Sequence, residues 1–183
     1  MEFFDVLDEE GKKTGAIVER NEAHAKGLRH RVVQVWVLNS NHQILLQKTS
    51  PNKDSYPNMC YVSLGWHIES FEDNRQTIIR EFNEELGLDI SKQIEELQYL
   101  YTFEEKELLN GGKFIDHEFY DVYLLEMDLD PSKLVLQEEE VSEVKFMDYK
   151  TFKDAVHKKD KSIWIHEEGF RRLLDKLDVI IKG

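Results

Sequence analysis

The apolar positions in the first third of the chain fall in short β-rich runs separated by polar turns. FFDVLDEEGKKTGAIVER (3–20) predicts two short strands around a glycine-containing turn. After a polar segment, RHRVVQVWVL (29–38) is rich in β-branched and aromatic residues. The turn NSNHQ then leads into ILLQK (44–48), the most hairpin-like pattern in the chain. SPNKDSYPN (50–58) predicts a loop, and MCYVSL (59–64) a short strand.

From Phe71 to Leu86 the period changes. Ile78, Ile79, Phe82 and Leu86 recur at helical spacing, with Gly87 as a stop and Ser70, followed by Asp73, as a start. LQYLYTFEE and KFIDHEFYDVYLLEM read as strands joined through LLNGG, and EEEVSEVKFMDY leads to a short helix, TFKDAVHK. A final helix near 165–181 would bury Phe170, Leu173, Leu174 and Leu177. Many strands alternating irregularly with few helices predict an α/β (α+β) fold with a mixed sheet, and not a doubly wound parallel one.

Composition narrows the class. At 183 residues the chain suits one domain, and 40% hydrophobic with 33% charged residues is a globular balance. A formal charge of -13 argues against a binder of nucleic acid polymers, which needs a basic face. It is compatible with a phosphate compound held through a metal, because the cation reverses the local sign. Cys60 is the only cysteine, so neither a disulfide framework nor a thiolate cluster is available. MEFFDVLDEEGKK has no secretory pattern and no stretch reaches membrane-spanning length, so a soluble cytoplasmic protein is expected.

The candidate chemistry lies in SLGWHIESFEDNRQTIIREFNEELGLD (63–89). On a helix Glu81, Glu84 and Glu85 share one narrow sector, beside the apolar stripe of Ile79, Phe82 and Leu86. Adjacent carboxylates repel unless solvent or a cation relieves them, and hard oxygen ligands suit Mg²⁺ or Mn²⁺. By charge pattern alone a solvated acidic face is the commoner outcome. Here the helix also follows a strand and a glycine-containing turn, and Arg80 immediately precedes the first of the three glutamates.

That constellation resembles the Nudix box, G-x5-E-x7-R-E-U-x-E-E-x-G-U, of the Nudix hydrolases. Glu72, Arg80, Glu81, Phe82, Glu84, Glu85, Gly87 and Leu88 match it in turn. Trp66 stands where the box opens on glycine, with Gly65 just before it, and Phe71 stands where a second glycine is common. The resemblance implies a Nudix-type αβα sandwich with a C-terminal helix, in a single domain over 1–183. In that reading 1–29 is an N-terminal hairpin and connector, 30–150 the core and 151–183 a C-terminal helical part. It also implies metal binding by Glu81, Glu84, Glu85 and the Gly65 carbonyl, with Glu72 and Arg80 bracing the box.

Within that family the chain is similar to the branch related to isopentenyl-diphosphate isomerase, through EAHAKGLRHRVVQVWVLNSNHQILLQK, LGWHIE and IDHEFYDVYL. The resemblance implies a second metal site at His24, His30, His67, Asp116 and Glu118. The isomerases use a cysteine in the turn before the box, where this chain has Gly65, and tend to lose the RE-x-x-EE set that this chain keeps. Both differences favour hydrolysis of an organic diphosphate; the family resemblance implies a nucleoside diphosphate derivative as substrate, and the isomerase-like branch a prenyl diphosphate. An isomerase-like enzyme and a non-catalytic binding module are the alternatives.

Glu81, Glu84 and Glu118 are the carboxylates available as base, and Glu118 lies on a strand from which it could reach the box helix. Arg31 and Lys48 are candidates for phosphate contacts. Trp36, Trp66, Tyr61 and Phe71 are candidates for an aromatic wall. The expected partner is a small-molecule diphosphate, without nucleic acid polymer or membrane, and a homodimer is left open.

Overall fold

In a computed structural model of the protein, residues 1–53 and 56–182 are described; residues 54 and 55 of the expected SPNKDSYPN loop and residue 183 lie outside them. The elements in chain order are β1 (Phe3–Leu7), β2 (Lys13–Glu19), α1 (Arg20–Lys26), β3 (His30–Leu38), β4 (Gln43–Thr49), β5 (Cys60–Tyr61) and β6 (Leu64–His67). They continue with α2 (Asn74–Leu86), β7 (Gln98–Leu109), β8 (Phe114–Glu126), β9 (Val141–Asp148), α3 (Tyr149–His157) and α4 (Glu167–Lys182).

β1 and β2 pair as a separate hairpin, while seven strands form a mixed sheet in the order β5-β4-β3-β8-β7. β6 joins this sheet on β3 and β9 joins it on β4. β3 and β8 run parallel over nine aligned positions, from His30 opposite Glu118 to Leu38 opposite Glu126.

The near-continuous apolar run of β3 follows from burial on both faces. Val33, Val35 and Val37 meet Ile78, Phe82 and Leu86 of α2 in one buried cluster. Val32, Trp36 and Leu38 share the other cluster with Phe152 of α3 and with Phe170, Leu173 and Leu177 of α4. Helices thus cover both faces of the sheet, giving the αβα sandwich. Among the described residues no helix is long and apolar enough to cross a membrane.

Three local expectations are corrected. α2 starts at Asn74 and not at Phe71, because the cap is Asp73 and not Ser70. Asp73 Oδ1 accepts from Gln76 N at 2.9 Å and Gln76 Oε1 accepts from Asp73 N at 2.9 Å, a reciprocal capping box. MCYVSL splits into β5 and the start of β6. The polar segment after β2 contains α1, a seven-residue helix capped by Glu19 and by a left-handed Gly27, too short to show a period. The last helix spans Glu167–Lys182.

Phe71 is held at φ 77° with 89% of its surface exposed, so a left-handed backbone carries a bulky side chain that packs on little. Phe71→Gly removes the Cβ clash of that conformation at the cost of a more flexible unfolded chain. The expected net gain is about 1 kcal/mol, read as a higher urea midpoint with unchanged slope. A lower midpoint would show that the phenyl group packs more than its exposure indicates.

Candidate active site

α2 presents its three glutamates at three different depths. Glu81 is fully buried and Glu85 is 1% exposed, whereas the Glu84 side chain is 51% exposed. Arg80 ties the set together. Its Nε and Nη2 donate to the two oxygens of Glu72 at 2.9 and 2.8 Å, and Nη1 donates to Glu81 and, at 3.3 Å, to Glu84. This fork holds the Glu72 carboxyl below its ordinary value, assisted by the Thr77 hydroxyl.

Burial acts the other way on the two deep glutamates. It pushes Glu81 up to about 8 against the pull of Arg80, and Glu85 up to about 7 against a 2.9 Å bond from Gln47 Nε2. Glu81 Oε2 is buried with no partner among the described residues. A buried carboxylate oxygen without a donor is costly, and a hard divalent cation is the partner such a set can take.

Gly65 and Trp66 lie on β6, opposite Gln34 and Val33 of β3, and neither has a positive φ. A tryptophan therefore fits the place of the opening glycine without backbone strain. The need for glycine sits one residue earlier: a Cβ at Gly65 would come within 3.0 Å of Val62 Cγ2 and 3.1 Å of Tyr61 Cε1. The Lys53 ammonium lies 4.9 Å from the centre of the Trp66 ring.

A second group lies across the strands. His24, His30, His67 and Glu118 each bring one ligand atom within 4.8 Å of the others. Asp116 joins through His24, with Nδ1 3.0 Å from Asp116 Oδ1, and His24 Nε2 is buried without a partner among the described residues. His30 Nδ1 donates to the Leu28 carbonyl at 2.9 Å, which turns Nε2 toward Glu118 at 3.1 Å. Phe4 stacks on His30 and His67, and Phe114 on His24.

The environment splits the titrations. Burial disfavours charge on His30, but Glu118 outweighs it and the imidazole is raised. Burial lowers His67 to about 4. Glu118 accepts from His30, His67 and Tyr120, and despite burial these donors hold it well below the carboxylate range. Its side chain shares the sheet face of Tyr120, away from α2, so it meets the histidines and not the glutamates of α2. On the β7–β8 ladder Glu118 stands opposite Glu105, and Asp116 opposite Glu107.

The histidine group borders a cavity of about 260 Å³ lined by Gly65, Trp66, His67, Asp116, Glu118 and Gln47, and α2 connects to it through Gln47, which bonds Glu85. It opens where β3 and β4 part, for their direct ladder holds a single rung, Leu38 opposite Ile44. Tyr61 and Trp164 add to its wall, while Trp36 is in the core and Phe71 faces solvent.

Arg31 and Lys48 stand elsewhere. Arg31 donates to both oxygens of Asp121 at 2.9 and 3.0 Å and to the Gly11 carbonyl, beside a different cavity. Lys48 stands in the ladder opposite Cys60 and Glu143, outside the lining of the main cavity. The cation in that lining near α2 is Lys53, 2.9 Å from Glu140. Lys53 sits in an irregular loop, where no period assigns a side to a side chain, so its sequence context does not mark it. Nothing in the sequence pattern marked Gln47 or His166.

The model of the NUDIX domain matches residues 28–167. Nudix hydrolase 3 of Arabidopsis thaliana is 39% identical over 163 residues, which are 87% of this chain and 21% of that protein. The chain thus spans about a fifth of that relative. An isopentenyl-diphosphate Delta-isomerase of a Jannaschia species is 31% identical over 154 residues, 81% of this chain and 82% of that one. The crystal structure of a Deinococcus radiodurans protein superposes with a TM-score of 0.70 at 19% identity, covering 97% of this chain and 98% of that one.

Proposed function

The chain belongs to the Nudix domain family, and on that premise we propose that it is a single-domain, metal-dependent hydrolase of an organic diphosphate. A nucleoside diphosphate derivative is the first substrate class to test. The observation that carries this reading is the depth of the glutamate set: Glu81 and Glu85 are buried beside Glu84, and Glu81 Oε2 has no partner among the described residues. That donor set fits a hard divalent cation.

Mg²⁺ or Mn²⁺ would be held by Glu81, Glu84 and Glu85, with the Gly65 carbonyl as a further ligand. When bound, the ion supplies charge neutralisation on the phosphate oxygens and lowers the pKa of a water. The protein's own groups do the rest. Arg80 and Glu72 keep the carboxylates oriented, Lys53 offers a cation to the phosphates at the cavity, and Glu81, Glu84 and Glu118 are the carboxylates available for proton handling. A cytoplasmic site of action, without a nucleic acid polymer as partner, accords with the formal charge of -13 and the single cysteine.

One observation favours a second reading. The His24, His30, His67 and Glu118 cluster fits a transition metal, since each residue brings a ligand atom within 4.8 Å of the others and His24 Nε2 has no partner among the described residues. With that site filled, an isomerase-like reaction is the alternative. The test is a substrate panel with Mg²⁺ and Mn²⁺, spanning nucleoside diphosphate derivatives and prenyl diphosphates. Release of phosphate or a monophosphate is expected. Exchange of solvent protons into isopentenyl diphosphate without hydrolysis would overturn the hydrolase in favour of the isomerase. Binding without turnover would leave a ligand-binding module.

A further inference from the structure

His166 precedes α4, is 2% exposed and takes no part in either cluster described above. Its Nδ1 lies 2.5 Å from Glu105 Oε2 on β7, and its Nε2 lies 2.8 Å from the Tyr61 hydroxyl on β5. Tyr120 and Trp164 pack on the ring at 4.9 and 4.8 Å, which fixes its orientation. Three residues distant in sequence thus form a carboxylate–imidazole–phenol series ending at the cavity wall.

The proton positions follow by exclusion. A carboxylate only accepts, so when the His166 ring carries one proton it sits on Nδ1. Nε2 is then an acceptor and takes the Tyr61 proton. The Gln34 amide nitrogen only donates, so its bond fills one lone pair of the phenol oxygen. Among the described residues the second lone pair has no partner, and Tyr61 lines the cavity beside Gly65, His67 and Glu118. A hydroxyl bonded to an imidazole that is oriented by a carboxylate is the arrangement that moves a proton on demand.

On the hydrolase reading above, we propose that Tyr61 is a catalytic residue that relays the proton of the attacking water to His166, with Glu105 and His166 as its positioning residues. In the step, the water oxygen bonds to phosphorus. The bridging P–O bond breaks and its electron pair stays on the departing phosphate oxygen. The water proton passes to the Tyr61 oxygen while the Tyr61 proton passes to His166 Nε2. No phenolate forms, in keeping with burial, which holds the Tyr61 phenol well above its usual range. The resulting imidazolium is paired with Glu105, whose side chain is 33% exposed and returns the proton to solvent.

The test uses the full chain with Mg²⁺ on a diphosphate that the wild-type protein hydrolyses. Tyr61→Phe and His166→Gln should each lower kcat by about a hundredfold with little change in KM, and the double variant should be no worse than Tyr61→Phe. Added imidazoles should restore His166→Gly in proportion to their basicity, and should leave Tyr61→Phe unrescued. Glu105→Gln should cost about tenfold. Wild-type kcat in Tyr61→Phe, or rescue that ignores imidazole basicity, overturns the relay while leaving the hydrolase in place. A wild-type protein inactive on the whole panel overturns the hydrolase and the relay with it. Circular dichroism checks folding, and where His166→Gly fails to fold, Tyr61→Phe and His166→Gln decide the matter.

Discussion

Glu84→Gln should lower Mg²⁺-dependent turnover by at least about a hundredfold while leaving the folded structure intact. The two halves of that expectation have separate causes. The Glu84 side chain is half exposed, and among the described residues its one bond is a 3.3 Å contact from Arg80, so the swap to an amide changes little in packing. Surface changes of this kind stay within about 0.5 kcal/mol. The charge it removes belongs to a set whose other members are already disfavoured as anions by burial. Losing the one carboxylate that water keeps accessible should therefore weaken the cation site most for the least structural cost. Turnover against Mg²⁺ concentration, with urea unfolding on the same preparation, measures both. Unchanged turnover would remove α2 from the chemistry.

Arg80→Ala has the largest expected effect on stability, a loss of about 3 kcal/mol in metal-free buffer. Arg80 bonds three carboxylates at once, and Glu81 beneath it is fully buried. Taking away the cation leaves that acid to be buried as an unpaired anion or held protonated. Partial exposure of Arg80 keeps the loss at the lower end of what breaking a buried pair costs. Mg²⁺ should restore part of it, because an ion that binds only the folded state stabilises it by mass action. Arg80→Lys should fall between the two, since lysine keeps the charge but cannot form the two-pronged contact with Glu72. Urea midpoints with and without Mg²⁺ check the series. Equal midpoints for wild type and Arg80→Ala would show that the network adds nothing to stability.

What the sequence made legible depended on the range of the interactions involved. The stripe of Ile78, Phe82 and Leu86 and the stop at Gly87 are local, and α2 ends where they place it. Its start lies three residues beyond the one the helical period suggests, because two capping patterns overlap, and Asp73 with Gln76 closes the reciprocal bond that Ser70 does not. The apolar run of β3 was readable as a strand, but its burial on two faces depends on helices far along the chain. Arg31 illustrates the limit for single charges. Nothing near it in sequence announces Asp121, ninety positions away, which binds it. His166 and Glu105 are likewise far from Tyr61 in sequence, so only the folded chain reveals their alignment.

The acid pairs on the β7–β8 ladder bear on how the molecule assembles. These are the two longest strands, joined by a short connection, and on topology alone such a hairpin is a fast early contact. Two of its rungs nevertheless set carboxyl against carboxyl, Glu105 to Glu118 and Glu107 to Asp116, which disfavours closure in isolation. Relief comes from outside the hairpin: His24 from α1, His30 from β3, His67 from β6 and His166 from the approach to α4. The turn end of the hairpin should therefore zip last, after β3 and β6 have docked. The protein completes its longest ladder only by completing its histidine cluster.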